Sequence, residues 1–372
     1  MDKSASFVEH SGLIMLAPDC IVGQLLRYAS TADRPDAGAH WHFEAADDRQ
    51  FRWLMQAGLG PLLHYATRDQ PERVPEAWRE PLLSAELTTR MRHANLVDTA
   101  IEIIDICARA GISVTLLKGI VTSEQFYPAP HLRPMADIDV LVPRECCAVV
   151  ESTLVSAGYR IKLDYPDEDD QHHGRPLHHP TRDVWVEIHR RLFPQDDDVC
   201  RSPAFSPTNI GANSLESAFH GLPALRLGTE LQLLYIASSW MRDMTLSRIH
   251  ASFLPSIFDA IFLLNDKGET LDWAKLLSWA DDDIPTASLH VLLTYLASRA
   301  SCAVPLPVCE TLAKRQRLVG TIQLSVIHAM LERYLIGGRA WNHVLPFPVA
   351  GRYSLRRQWA KRIIGRSRPR TA

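Results

Sequence analysis

Residues 133–142 read Arg-Pro-Met-Ala-Asp-Ile-Asp-Val-Leu-Val, a run of branched residues that carries Asp137 and Asp139 two apart. In an extended strand, residues two apart share a face, so both carboxylates are presented together while Ile138 and Val140 point the other way. Two adjacent carboxylates repel, and such a pair is stable mainly with a cation between them. Oxygen ligands of this kind suit magnesium or manganese, which also bind substrate phosphates. A second run, from Val184 to His189, sets Val184, Val186 and Ile188 on one face and Trp185, Glu187 and His189 on the other. With the two strands side by side, Asp137, Asp139 and Glu187 converge on one side of a sheet, the arrangement used for two-metal, in-line phosphoryl transfer. His189 shares that face, where it reaches the site, orients Glu187 or packs on Trp185.

Upstream lies Lys118-Gly119, at the junction of a short apolar run and a helical pattern. Glycine lets backbone approach a ligand closely, a helix start offers unpaired N–H groups, and Lys118 adds positive charge; together they make a phosphate cradle. Arg133, just before the acidic strand, can contact the same phosphates. Each piece has an ordinary reading: a D-x-D pair is common, a glycine after a strand is usually a turn, and Glu187 alone suits a solvent-facing edge strand. Their order along the chain gives them weight.

The elements that must hold these residues follow from periodicity. From about residue 20 to 109 apolar residues recur at helical spacing, as in Phe51, Leu54, Met55, Leu59, Leu62 and Leu63, and a last helix over about 81–110 stops at Gly111. The pattern then alternates: a strand at 113–117, a helix at 120–127, a strand at 138–142 closed by Pro143, a helix at 145–157 ending at Gly158, and a hairpin whose turn is 181–183. A loop rich in Pro, Asn and Ser follows at 194–223. Helical periodicity returns from Gly228 to about 303 and from Glu310 to Leu335, with Asp272 marking one helix start. The predicted parts are an N-terminal helical region (1–110), an α/β core with a small mixed sheet (111–200), a C-terminal helical region (215–340) and a basic tail (341–372). The chain's 372 residues suit two or three units at roughly 150 residues each.

Other clusters read less specifically. His172, His173, His178 and His179 lack regular helical spacing or partner cysteines, so they read as loop residues beside the hairpin rather than a zinc site, with one able to reach the acids. The acidic run 164–170 lacks the glycine and distal glutamate of a calcium loop and reads as solvated. Cys146 and Cys147 read as packing. P-loop, dinucleotide-binding and nucleophile-elbow motifs are absent from the sequence.

A net charge of −3 gives no general affinity for nucleic acid. The one local basic excess, Arg356, Arg357, Lys361, Arg362, Arg366, Arg368 and Arg370, reads as a solvated tail or a weak contact with an anionic surface. Seven cysteines without a C-x-x-C pair argue for reduced thiols, and Asp2 and Glu9 are wrong for a secretory signal. With no apolar run long enough to span a bilayer, the expectation is a cytoplasmic protein without a transmembrane segment.

In combination, Leu117-Lys118-Gly119, Tyr127-Pro128, residues 132–135, residues 137–142, Ala157-Gly158-Tyr159 and residues 186–189 resemble the uncharacterised bacterial nucleotidyltransferases, a branch of the DNA polymerase β-like superfamily. The likeness spans about residues 20–310 and includes Phe258-Asp259-Ala260 and Leu271-Asp272-Trp273 in the flanking helices. It implies a mixed sheet carrying three acids, and transfer of a nucleoside monophosphate from a triphosphate, ATP foremost, to a hydroxyl-bearing acceptor with release of pyrophosphate. By matching positions, Asp137 and Asp139 bind magnesium or manganese, and Glu187 is the third acid that activates the acceptor hydroxyl. The superfamily usually has Gly-Ser at the first turn, where this chain has Gly119-Ile120. The acceptor is a protein, a peptide, a small molecule or an RNA end. Two other readings use the same acids: a catalytically inactive nucleotide-binding regulatory module, and a metal-dependent phosphodiesterase.

Overall fold

The computed structural model describes residues 20–31, 41–43, 48–165, 171–245, 253–300 and 302–337. The acidic run beyond Tyr165 and the basic tail therefore lie outside the described residues. The fold is mixed α/β, with a seven-stranded sheet and helices on both sides of it in sequence.

Among the described residues four α-helices come first: α1 (Ile21–Thr31), α2 (Asp48–Gln56), α3 (Gly60–Thr67) and α4 (Glu76–Arg109). The last begins earlier than its apolar pattern suggests and ends as expected, with Gly111 in the left-handed region at φ +69°. Then β1 (Thr115–Leu116) leads into α5 (Lys118–Phe126), β2 (Asp137–Leu141), α6 (Cys147–Ser156), β3 (Arg160–Ile161), β4 (Leu177–His178) and β5 (Trp185–His189). The sheet order is β3-β4-β5-β2-β1-β7-β6, with β2 and β5 parallel at the centre. Those two strands are central because Ile138, Val140, Val186 and Ile188 are wholly buried on one face, against Ala100, Ile103 and Ile104 of α4 and Val150 and Leu154 of α6.

The loop expected at 194–223 is only partly a loop. It contains α7 (Pro207–Ala212), capped by the Ser206 hydroxyl, followed by a hairpin of β6 (Ser214–Phe219) and β7 (Leu222–Leu227). His220 and Gly221 both have positive φ, at 47° and 86°, which makes the two-residue turn that suits a hairpin. β7 pairs with β1 in parallel, so the sheet extends past residue 200, and strand occupies the start of the predicted C-terminal helical region.

The remaining helices are α8 (Thr229–Thr245), α9 (Phe253–Lys267), α10 (Trp273–Ser278), α11 (Ile284–Arg299), α12 (Leu306–Arg315) and α13 (Thr321–Gly337). Asp272 caps α10 as expected, accepting from the Lys275 amide at 2.9 Å, and Asp283 caps α11 in the same way. The two helical regions, distant in sequence, share one core: Leu25 and Leu26 of α1 join Ile257, Phe258 and Ile261 of α9 and Leu292 and Leu296 of α11. α4 connects the cores, with Trp78 and Leu82 in the helical one and Leu96 to Cys107 in that of the sheet. None of the cysteines forms a disulfide, and among the described residues no helix is long and apolar enough to cross a membrane.

Candidate active site

The parallel pairing of β2 with β5 aligns Asp139 with Glu187 and Asp137 with Trp185. The carboxylates therefore share the face opposite the buried aliphatic residues, as the period-two pattern requires. Asp139 is buried at 4% exposure and His189 at 0%. Donor atoms of Asp139, Glu187 and His189 all lie within 4.8 Å of one another. Asp137, at the start of the strand, lines a cavity together with Asp139 and adds its charge to the pair.

Asp139 is the electrostatic centre. Its Oδ1 meets His189 Nε2 at 2.6 Å and accepts from Lys118 Nζ at 3.0 Å. Burial alone would raise its pKa, but the Lys118 charge and the His189 hydrogen bond overcome that and hold it well below the usual carboxylate range. Asp137 goes the other way: burial first, then the charges of Asp139 and Glu187, raise it to about 7. Burial opposes the charges on Lys118 and His189, yet the surrounding acids, Asp139 foremost, raise both pKa values. Acids and bases thus settle into a near-neutral cluster.

Lys118 opens α5 with φ 46°, a left-handed conformation costly for a residue with a side chain. That turn directs its ammonium back to β2. Gly119 follows for a reason that the sequence did not suggest: a Cβ there would collide with Arg133 Nη1 and stand 2.7 Å from Met135 Sδ. The close approach in this structure is by neighbouring side chains. Arg133 lines the cavity, with its guanidinium in a two-point ion pair with Asp259 of α9, Nε to Oδ1 at 3.1 Å and Nη2 to Oδ2 at 2.8 Å. Tyr127 donates to the same carboxylate at 2.8 Å.

The histidine cluster splits in two. His179 joins Glu102 and Arg182, and His178 faces Asp183, away from the acids. His173 reaches Glu187, Nε2 to Oε2 at 3.3 Å, and His172 lies edge-on to His189 at 5.0 Å between ring centres. Burial, with the nearby charges of His189 and His173, keeps His172 neutral.

Asp259, Gln232 and Tyr235 all line the cavity; Gln232 and Tyr235 were not singled out from sequence, and Asp259 entered only within the family resemblance, with no role given to it. Asp259 had a signal, a lone carboxylate in the otherwise apolar first turns of α9; Gln232 and Tyr235 are scattered in a helix with no motif. The cavity holds about 240 Å³ and runs from Lys118 and the β2 acids to α8.

A family model described as an uncharacterised nucleotidyltransferase matches residues 44–300. No curated protein matches the chain. Among solved structures, one similar chain is that of the "Antibiotic-Resistance Factor ANT(2'')-Ia", 12% identical, with 55% of this chain and 92% of that one covered and a TM-score of 0.33, a likeness too distant to build on.

Proposed function

Because the chain belongs to the uncharacterised nucleotidyltransferase family, we propose that this cavity transfers a nucleoside monophosphate from a triphosphate, ATP foremost, to a hydroxyl-bearing acceptor. The observation that carries the reading is the in-register pairing of Asp139 with Glu187, which brings two acids and His189 to one point beside Asp137. The donor set fits a divalent cation: clustered carboxylate oxygens suit magnesium or manganese, and burial with the charges of Asp139 and Glu187 raises the Asp137 pKa to about 7 even though Lys118 and Arg133 act the other way. Asp137, Asp139 and Glu187 would hold the ion, with His189 beside them. When bound, a divalent cation neutralises charge on the phosphates and stabilises the developing pyrophosphate.

The chain's own residues supply the rest. Lys118, once released from Asp139, carries its charge to the triphosphate, and the start of α5 offers its unpaired N–H groups. Glu187, one-fifth exposed, takes the proton of the acceptor hydroxyl. The acceptor oxygen forms its bond to the α-phosphorus, the bond from that phosphorus to the bridging oxygen breaks, and pyrophosphate leaves with the electron pair. Arg133, fixed by Asp259, holds the turn before β2 in place. The thiols, none in a disulfide, suit the reducing cytoplasm.

The test is incubation of the full chain with α-labelled nucleotides, magnesium and cell extract. Label on an acceptor that disappears with Asp139→Ala supports transfer. Bound nucleotide without turnover, with magnesium or manganese, would establish the inactive regulatory module instead, and free monophosphate without labelled acceptor would establish a phosphodiesterase.

A further inference from the structure

The acids do not explain the wall of the cavity formed by α8. Gln232 and Tyr235, three residues apart and so on one helix face, both line it at 3% and 2% exposure. Thr122 Oγ1 donates to the Lys118 carbonyl at 2.8 Å and so accepts from Gln232 Nε2 at 3.2 Å. This network fixes the amide's orientation, with its nitrogen toward α5. Gln232 Oε1 and the Tyr235 hydroxyl then have no hydrogen-bond partner among the described residues, although both are buried. Buried polar atoms in folded proteins are nearly always satisfied, and two orphans on neighbouring residues that line one cavity mark a place where something else satisfies them.

Their chemistry restricts what that is. An amide oxygen only accepts, so its partner must donate, which excludes a phosphate or carboxylate oxygen; a phenol donates or accepts. A hydroxyl group meets both demands. Leu192, Phe193 and Leu227 complete this part of the cavity with apolar surface suited to the C–H faces of a ring. The cavity, about 240 Å³ in all, also borders Lys118 and the β2 acids, so the α8 wall meets one ring of a larger substrate. Tyr235 also interacts electrostatically with Lys118 and Asp139, so this seat adjoins the reacting centre.

We infer that Gln232 and Tyr235 form the seat for a hydroxylated, sugar-like ring, one of whose hydroxyls donates to Gln232 Oε1 and pairs with the Tyr235 oxygen. This rests on the reading of the cavity as a nucleotidyl-transfer centre, and such a ring has two sources: the ribose of the nucleotide or the acceptor.

The experiment uses the full chain and two variants, Tyr235→Phe and Gln232→Met, each checked for an unchanged melting temperature. One arm measures binding of ATP, 2'-deoxyATP and 3'-deoxyATP by calorimetry with magnesium. The other measures saturation transfer to D-ribose and myo-inositol on protein holding a non-hydrolysable ATP analogue. If the ribose is the occupant, one deoxynucleotide binds the wild type roughly tenfold more weakly than ATP, and both variants erase the difference. If the acceptor is the occupant, the three nucleotides bind alike and the variants lose the polyol signal. The inference is overturned if folded Tyr235→Phe retains both wild-type nucleotide discrimination and wild-type polyol signal, or if the wild type shows neither. A wild type that binds no nucleotide in the first arm but shows a variant-sensitive polyol signal without the analogue would sink the nucleotidyl-transfer reading while supporting the seat.

Discussion

Lys118 Nζ lies 3.0 Å from Asp139 Oδ1, so the cation read from sequence as a phosphate ligand also neutralises the most buried of the acids. On the proposed reading the two roles are sequential: the ammonium screens the carboxylates until a cation replaces it there, and it would then be available to the phosphates.

Replacing it separates the roles. In Lys118→Met the acids lose a competing cation, so manganese should bind at least as tightly as to the wild type, by electron paramagnetic resonance titration. Turnover should fall about 100-fold, the scale of losing one preorganised charge in a transition state. Loss of manganese binding together with turnover would show that Lys118 builds the site rather than serving it.

The Arg133–Asp259 pair should behave as a structural latch. Asp259→Asn leaves a buried guanidinium without its counter-charge, and such a break costs about 3–5 kcal/mol. Arg133→Met with Asp259→Leu removes both charges and should recover most of that loss in urea denaturation. A double variant as unstable as the sum of the singles would refute the latch.

Gly119→Ala tests why glycine stands there. The new methyl meets Arg133 and Met135 inside van der Waals distance, so stability should drop by about 1–3 kcal/mol, the range for overpacking. Met135→Ala in the same chain should restore part of it. An unaltered midpoint for Gly119→Ala would mean that the turn shifts freely.

Much of this site was legible because its logic is local. The spacing of Asp137 with Asp139, and of Glu187 with His189, directly encodes a shared strand face, and the buried Ile138, Val140, Val186 and Ile188 encode the opposite one. What escaped has non-local or weak patterning. Arg133 meets Asp259 across 126 residues, a distance at which no periodicity operates. β6 is an edge strand whose residues are largely exposed, so it lacks the alternation that marks a half-buried strand. The union of α1 with α9 and α11 in one core is equally invisible, because each helix shows an apolar face and none shows its partner.

A stability effect of pH should come from α13. Burial lowers the His328 pKa to about 4, and its Nε2 faces the Val291 carbonyl at 3.2 Å. In the unfolded chain a histidine titrates near 6.5, so between that pH and about 4 the unfolded state binds more protons than the native one. Stability is therefore full above pH 6.5 and declines as pH falls through this window, by up to about 3 kcal/mol. The acid limb of the stability curve, followed by thermal melting, should flatten in His328→Gln. An unchanged limb would assign the acid sensitivity elsewhere.

Metal binding should itself be linked to protons. Asp137 is raised to about 7 and His189 is raised above its usual range, so below these values both carry a proton that a cation must displace. Apparent manganese affinity should therefore climb as pH rises toward 7 and above, levelling once both groups are deprotonated. Calorimetry in buffers of different ionisation enthalpy should detect protons released on binding at pH 6. Asp137→Asn removes one of the two sites, so it should lower both the slope and the proton count while leaving the His189 contribution in place. A wild type whose affinity does not vary between pH 5.5 and 8 would mean that neither group holds a displaceable proton, and that the cation is not bound among these acids.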